Sequence, residues 1–345
     1  MLRSVLKSLN SSWLVLPLAL AVCLSLPGCG GGGGESKNEF ISIGTAGQGG
    51  AFYQVGAAIA NVMNEHKDIG GWKKVTAEET GGSLENLRRL ESGDIQIGMT
   101  NSSISYLAAS GKGSFDKKYK VKSVMTLFPL IAMFVTKADS GITSIKQLEG
   151  KRVVVGPEGA GFEHFVRPIL EEHGVKWDSI EKRLGSFTKA VGYLQDGSAD
   201  AVFLGGGRKS PAITSAATSM DIRLIPYDDD AKKRLMQKFP SFSEVVVPAK
   251  TYKGQAEDYN GLNVGSAQLL VREDASDEFV TNVIKAIWKG RKKIAQAHAA
   301  GKSINPKNVG RFTGVEFHPA AKKLYESGEL EGWPKAETKS ASKSE

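Results

Sequence analysis

The chain has 345 residues, of which 41% are hydrophobic and 24% charged, and its formal net charge is +8. This composition is that of a globular protein, and the length is sufficient for two domains of ordinary size. The positive excess is scattered along the chain and forms no basic stripe with interleaved aromatic residues. Proteins that bind nucleic acid usually carry such a stripe, so we expect no nucleic-acid partner.

The first 28 residues are predicted to be a signal peptide for export, of the lipoprotein type. Arg3 and Lys7 supply a basic start, and the apolar stretch that follows, residues 13–26, is too short to span a bilayer comfortably. No later segment is apolar for long enough to cross a membrane. We therefore expect a periplasmic protein.

Cys29 stands at the end of this leader and resembles the acylated cysteine of a bacterial lipoprotein. The glycines after it predict a flexible tether over residues 29–39, from which the folded part can stand off a membrane. A multiply acylated cysteine holds firmly, so we expect a lipid anchor. Pro27 takes a place that usually holds a small or apolar residue, and an ordinary signal peptide with an incidental cysteine is the alternative.

Strands and helices alternate along residues 38–333, which predicts an α/β architecture. The strand candidates are residues 40–44, 74–78, 95–99, 121–136, 152–156, 200–204, 222–225 and 263–272. The helix candidates are residues 51–66, 83–92, 101–110, 144–149, 161–173, 187–195, 210–219, 229–237, 276–299 and 319–326. Residues 334–345 lack large apolar side chains and are expected to form a disordered tail.

Two long extended segments indicate that the chain crosses twice between two domains. Residues 121–137 are too long for one ordinary strand, and residues 244–272 would return the chain. The expected organisation is a discontinuous domain I, residues 40–137 plus 248–333, with domain II inserted as residues 138–247. A cleft between two such domains is a common site for a small molecule.

A glycine-rich loop between the first predicted strand and helix is the strongest candidate for a binding site. Its four glycines, between residues 44 and 50, leave backbone amides bare beside the positive end of the helix. Such a loop can receive a carboxylate, and a tight turn without a ligand is the alternative. The candidate contacts in this region are Thr45, Gly47, Gly49, Gly50, Ala51 and Tyr53, with Phe52 as the other aromatic residue that could wall the pocket.

Polar residues near other predicted element ends extend the candidate site. Ser83 and Asn86 begin a helix, where helix capping alone is the alternative role. Polar groups at the carboxyl end of a strand commonly face the crevice of an α/β fold. The candidate residues at or just after predicted strand ends are Thr100, Asn101, Ser102, Gly206 and Arg208. A guanidinium can form a bidentate pair with a carboxylate, although a surface or interdomain ion pair is the alternative for Arg208.

A series of motifs resembles the TAXI family, the extracytoplasmic solute receptors of tripartite ATP-independent periplasmic (TRAP) transporters. The stretch from Gly44 to Tyr53 resembles the opening motif of that family. The other similar stretches are residues 81–88, 148–153, 156–163, 196–201, 247–254 and 317–321. Glycine-rich turns are common in proteins, so the resemblance depends on the order of the whole set along residues 40–330.

The resemblance implies a type II periplasmic-binding-protein fold, with two α/β domains, two hinge crossings and an interdomain cleft. It implies a monomeric receptor without catalysis or cofactor, which captures a small organic acid or amino acid and delivers it to a TRAP membrane permease. The second glycine-rich loop of the family adds Gly159, Gly161 and Phe162 to the candidate site. Ala160 and Phe162 stand where the family often has serine and threonine, so hydroxyl contacts are not expected there.

Two acidic residues of that second loop bear on the charge of the ligand. Glu158 and Glu163 are expected to disfavour a second carboxylate. The remainder of the ligand, apolar or aminated, would face Phe162.

Enzyme signatures are missing from the sequence. Phe52 stands where a dinucleotide-binding motif needs its third glycine, and no Gly-Lys-Ser/Thr follows the loop as in a P-loop. There is no Gly-x-Ser-x-Gly elbow, and the five histidines form no His-Glu-x-x-His pair. The alternatives that remain are an exported α/β hydrolase-type enzyme, and a binding protein for an ABC importer or a sensor kinase.

We predict that Cys29→Ser releases the protein from the membrane fraction and abolishes incorporation of labelled palmitate, because no other segment is predicted to anchor the chain. Cell fractionation with immunoblotting measures the first effect. The matched control is Cys23→Ser, which lies within the predicted leader and should leave the protein at the membrane. Continued palmitate labelling of Cys29→Ser would show that the lipoprotein interpretation is wrong.

Overall fold

The computed structural model describes residues 40–113, 115–239 and 241–333, which belong to one compact unit. The predicted signal peptide, the tether with Cys29, and the predicted C-terminal tail lie outside the described residues. The strands are β1 (Phe40–Gly44), β2 (Lys74–Glu78), β3 (Ile97–Asn101), β4 (Val121–Ala132), β5 (Phe134–Lys137), β6 (Arg152–Val154), β7 (Glu181–Arg183), β8 (Ala201–Phe203), β9 (Ile222–Ile225), β10 (Ser243–Val247) and β11 (Tyr259–Arg272).

The helices flank two β-sheets. They are α1 (Ala51–Glu65), α2 (Lys67–Gly70), α3 (Ser83–Ser92), α4 (Ser102–Ser110), α5 (Glu163–Glu172), α6 (Phe187–Gln195), α7 (Pro211–Ser219), α8 (Asp229–Lys238), α9 (Asp277–Ala297) and α10 (Pro319–Ser327). Short 3-10 turns cover Ile145–Leu148, Trp177–Ser179 and Ala299–Ser303. Within the described part of the chain, no helix is long and apolar enough to cross a membrane.

The larger sheet has six strands in the order β10-β11-β3-β1-β2, with β4 paired to β11. Strand β1 runs parallel to β2 and β3, whereas β11 runs antiparallel to β3, β4 and β10. Because β1 and β3 are parallel neighbours, the loop before α1 and the start of α4 leave the same edge of the sheet. Ligands of α/β folds commonly bind at this carboxyl edge.

The smaller sheet has five strands in the order β7-β6-β8-β5-β9. Strand β6 is parallel to β7 and β8, and β5 is antiparallel to β8 and β9. The loops that follow β6 and β8 therefore leave one edge together. These loops contain the second glycine-rich segment and the glycines after residue 204.

The chain passes between the two sheets twice. Strand β4 ends in the larger sheet and β5 begins in the smaller one, with Met133 alone between them. The return runs from β9 through α8 to β10. Sheet membership differs from the expected domain bounds, because β5 pairs within the smaller sheet and β10 pairs with β11 of the larger one. Both changes of sheet therefore come earlier than residues 138 and 247.

Close helix packing covers the outer face of the larger sheet. Helices α1 and α9 approach so closely at Gly290 that a Cβ there would lie 2.1 Å from a methyl carbon of Val62. Apolar residues every three or four positions along α1, among them Val55, Ile59 and Met63, are fully buried, as the amphipathic pattern predicts. The α/β class and the two crossings expected from the sequence are confirmed.

Several elements differ in detail from the sequence expectations. The segment 121–136 is divided into β4 and β5, and the helix expected at residues 144–149 is a single 3-10 turn. The short strand β7 and the short helix α2 were missed. A segment of four residues or fewer is too short to show the hydrophobic periodicity of a helix or a strand. Such elements are recognised only from their contacts with neighbouring elements.

His173, at the C-terminal end of α5, is buried as a neutral ring. Its Nδ1 lies 2.7 Å from the carbonyl oxygen of Ile169, and its Nε2 accepts a hydrogen bond of 3.0 Å from the amide of Asp228. A single proton on Nδ1 satisfies both contacts. Burial lowers the pKa of His173 below its ordinary value because the protonated ring loses its hydration.

A histidine with a depressed folded-state pKa stabilises the fold above its unfolded pKa of about 6.5, and that stability is lost as the pH falls through the folded value. We therefore predict that acidification from about pH 7.5 to about pH 5 lowers the free energy of unfolding less in His173→Gln than in the parent protein. Urea titrations at the two pH values measure this. Ile169→Val, which removes a buried methyl group from the same helix and no titratable group, is the control and should keep the parent's pH dependence. A parental dependence in His173→Gln would contradict the assignment.

Candidate functional site

A small cavity lies where the carboxyl edges of the two sheets face each other. Its volume is about 70 Å³. The larger sheet contributes the loop before α1, the start of α3 and the end of β4, while the smaller sheet contributes the loops after β6 and β8 and the start of α6. The cavity therefore occupies the cleft that the two crossings of the chain predict.

Backbone contacts join the two sides of this cleft. The amides of Leu84 and Glu85, at the start of α3, donate to the carbonyl oxygen of Gly159 at 3.0 and 3.2 Å. A Cβ built at Gly81 would lie only 2.4 Å from the carbonyl oxygen of Glu158. These approaches show that the cleft is closed in this structure.

The loop before α1 brings an uncapped helix end to the cavity. The first amides of a helix have no intrahelical partner. The N-cap residue Gly50 offers no side chain to them, and the first turn of α1 contains no acidic residue. Among the candidates of this loop, Gly47, Gly50 and Ala51 line the cavity, together with Phe52. This end of the cavity is suited to an anion, because the amides and the helix dipole favour negative charge.

A second helix end from the other side approaches the same place. A Cβ at Gly49 would lie 2.7 Å from Oγ1 of Thr188, and a Cβ at Gly50 would lie 3.7 Å from the ring of Phe187. Both Phe187 and Thr188 belong to the first turn of α6. Gly49 itself does not line the cavity, so its lack of a side chain serves the approach of α6.

Thr45 and Asn86 hold the loop in position and do not line the cavity. The Thr45 hydroxyl donates to the carbonyl oxygen of Glu78 at 2.6 Å. The Asn86 amide nitrogen donates to the carbonyl oxygens of Thr45 and Met99, at 2.7 Å each. Both side chains are fully buried and link the loop to β2 and β3.

The polar residues at the carboxyl end of β3 also make mainly structural contacts. Asn101 caps α4 by accepting from the amide of Ser103 at 2.8 Å. The hydroxyl of Ser102 accepts from the amide of Ser266 at 2.9 Å, and Thr100 accepts from the hydroxyl of Ser105 at 2.7 Å. Of the three candidates at this strand end, Asn101 alone lines the cavity.

Ser83 lines the cavity and keeps a proton to donate. It is 2% exposed, and its Oγ accepts from the amide of Asn101 at 3.0 Å. A serine hydroxyl that accepts one bond still has its own O–H. Ser83 is thus a suitable donor to a ligand, in addition to its contact with β3.

The candidates on the smaller sheet divide between lining and supporting positions. Phe162 and Gly206 line the cavity. The amide of Gly206 is already engaged, since it donates to the carbonyl oxygen of Ile131 at 3.2 Å. Gly159 and Gly161 lie outside the lining and have positive φ values of 76° and 75°, which glycine adopts without strain.

Neither Arg208 nor Tyr53 lines the cavity. Arg208 is exposed, and its backbone carbonyl accepts from the hydroxyl of Tyr252. Phe52 takes the wall position for which Tyr53 was the other candidate. Glu158 and Glu163 are exposed as well, and Glu163 pairs with Arg167 at 3.4 Å, so neither carboxylate faces the cavity.

Sequence reasoning missed three phenylalanines of the lining: Phe165, Phe187 and Phe203. Their rings gather around Phe162, with centroid distances of 5.2 Å to Phe165, 5.9 Å to Phe187 and 5.2 Å to Phe203. They come from α5, α6 and β8. The sequence contained one signal for Phe187. It stands directly after Ser186 at the start of a predicted helix, and Phe52 has a similar position at the start of the helix after the first loop.

We predict that Gly81→Ala weakens ligand binding by at least about tenfold, because the added carbon would meet the carbonyl oxygen of Glu158 and hinder closure of the cleft. Isothermal titration with a bound acid measures the effect. Gly192→Ala, in α6, is the matched control, since a Cβ there meets nothing within 4 Å. Parental affinity in Gly81→Ala would contradict the proposed closure.

Comparison with known proteins identifies relatives of the chain. A protein from Bordetella bronchiseptica RB50 is 16% identical with a TM-score of 0.52, covering 86% of this chain and 92% of that one. The periplasmic aliphatic sulphonate binding protein SsuA from Escherichia coli is 16% identical with a TM-score of 0.48, covering 84% and 83%. Similarity at this level concerns the fold alone, which is an α/β fold with two sheets and two crossings between them. The match to the NMT1-like family spans residues 43–328, and the chain belongs to that family.

Proposed function

We propose that the protein is an extracytoplasmic solute-binding receptor, which captures a small carboxylate in the cavity and delivers it to a membrane permease. The observation that carries this proposal is the closed cavity between two sheets, with the uncapped start of α1 at one end. A carboxylate there would receive hydrogen bonds from free amides. Because both sheets contribute to the lining, a bound ligand would also stabilise the closed arrangement.

Binding is favoured over catalysis by the chemistry of the lining. No Asp, Glu, His, Lys or Arg side chain is among the described residues that line the cavity. General acid–base catalysis needs such a group within hydrogen-bond reach of the substrate, and Ser83 has no base beside it to become a nucleophile. The described residues also contain no group of three or more potential metal-ligating side chains.

The partner that we propose is the permease of a TRAP transporter, with a periplasmic receptor anchored through Cys29 as a monomer. The ordered TAXI-like motifs support this choice. An ABC importer is the second candidate, since a solute receptor of this fold can in principle present its ligand to either kind of transporter. The two differ in their energy source, which is an ion gradient for the first and ATP for the second.

We predict that a cognate small acid, at about one hundred times its dissociation constant, raises the free energy of unfolding by about 2.7 kcal/mol. A thermal-shift screen over organic acids and amino acids would identify it, and urea titration would measure the increment. The amide of the same acid has the same tail without the charge and is the control, which should give no comparable shift. A broad panel that leaves the melting temperature unmoved would contradict a carboxylate receptor.

Uptake measurements would separate the two transporters. Cells that take up the labelled acid should lose uptake when the ion gradient is dissipated while ATP is maintained, if the partner is a TRAP permease. Uptake that depends on ATP and persists after the ion gradient is dissipated would assign the receptor to an ABC importer. Either result leaves the solute-binding role intact.

A further inference from the structure

The cavity has one end suited to an anion. The starts of α1 and α6 approach each other there, from opposite sides of the cleft, as the 2.7 Å spacing between a Cβ at Gly49 and Oγ1 of Thr188 indicates. The start of α3 is already filled by the carbonyl oxygen of Gly159. Of the other helices that begin at the lining, α4 and α6 are capped by Asn101 and Ser186, and the first turn of α5 carries an acidic residue. The start of α1 is therefore the helix end that best suits an anion.

The remainder of the lining is aromatic and aliphatic. Phe162, Phe165, Phe187 and Phe203 form one cluster on the smaller-sheet side, with centroid distances between 5.2 and 5.9 Å. Leu130, Ile131 and Val264 line the other side. The polar side chains of the lining are Ser83, Asn101 and Ser186, of which Asn101 caps α4 and Ser186 caps α6.

This lining provides no side chain of opposite charge for a second charge on the ligand. An ammonium group would need a carboxylate or several carbonyl oxygens, and no acidic side chain lies in the lining. A second carboxylate would have to lie among phenyl rings, without a lysine or arginine beside it. Burying a charge without a partner is costly, and attraction to phenyl faces is weaker than the hydration that an ammonium loses.

The cavity has room for a short tail. Its volume of about 70 Å³ is several times the roughly 10–15 Å³ that a site needs to hold one water molecule. A carboxylate with a short hydrocarbon tail is a ligand of suitable size.

We propose that the ligand is a small monocarboxylate with a hydrocarbon tail, and that the cavity excludes amino acids and dicarboxylates. This inference rests on the proposed function, since it specifies the solute of the same site. Of the two possibilities for the part of the ligand that faces Phe162, apolar or aminated, the inference keeps the apolar one. Arg208 makes no ligand contact in this inference, because it is exposed and outside the lining.

Two pairs of acids of equal shape test the inference. 2-Methylpropanoate and alanine differ by a methyl group in place of an ammonium, and 3-methylbutanoate and malonate differ by an isopropyl group in place of a second carboxylate. Isothermal titration of the full chain with each acid is the measurement. We expect each hydrocarbon acid to bind at least about a hundredfold more tightly than its charged counterpart.

The outcomes separate this inference from the proposed function. Tighter binding of alanine or malonate than of its hydrocarbon counterpart would overturn the inference and leave the receptor role in place. Equal binding within a pair, or binding only of larger polyfunctional acids from a broad panel, would overturn it too. A broad acid panel without any binding would overturn both.

A variant provides an independent arm. Phe162→Asp places a carboxylate in the lining at the N-cap of α5, a position that aspartate favours and where the side chain is half-buried. It should reverse the preference, so that alanine binds more tightly than 2-methylpropanoate. Lys189→Asp, exposed in the first turn of α6 and outside the lining, is the control and should retain the parental preference. An unchanged preference in a folded Phe162→Asp protein would contradict the aromatic tail site.

Discussion

The cleft depends on backbone-to-backbone contact between its two sides. The carbonyl oxygen of Gly159 accepts from two amides at the start of α3, which requires the main chains to approach within hydrogen-bond distance. Glycine is needed opposite this contact, because a Cβ at Gly81 would collide with the neighbouring carbonyl oxygen of Glu158. This close approach holds the two sides of the cleft together.

The same contact helps to determine which helix start has backbone amides free to bind a ligand. Three of the helices that begin near the cleft, α1, α3 and α6, differ in what their first amides contact. The start of α3 is occupied by Gly159, the start of α6 is capped by Ser186, and the start of α1 has a glycine that cannot cap it. Since uncapped amides are the strongest unfilled donors at a helix end, a negative group in the cavity is best placed at α1.

Much of this arrangement could be predicted from the sequence, because it depends on local patterns. Glycines between a strand and a helix indicated the loop before α1, and the long segment that becomes β4 and β5 indicated the crossing. The polar residues were harder to interpret, since a serine or asparagine at a strand end satisfies backbone groups as readily as a ligand. Asn86 illustrates this, because both of its donated bonds go to main-chain carbonyls. Its helix-start position alone could not distinguish the two roles.

The aromatic lining could not be predicted from sequence spacing, for a physical reason. Phe162, Phe187 and Phe203 lie on three different elements, and nothing within any one segment distinguishes a ring that faces a cavity from a ring in the core. Their assembly is a property of the smaller sheet, since the loops after β6 and β8 leave one edge beside the start of α6. In the receptor that we propose, the backbone amides before α1 favour negative charge, while most of the aromatic lining around the tail comes from the smaller-sheet side.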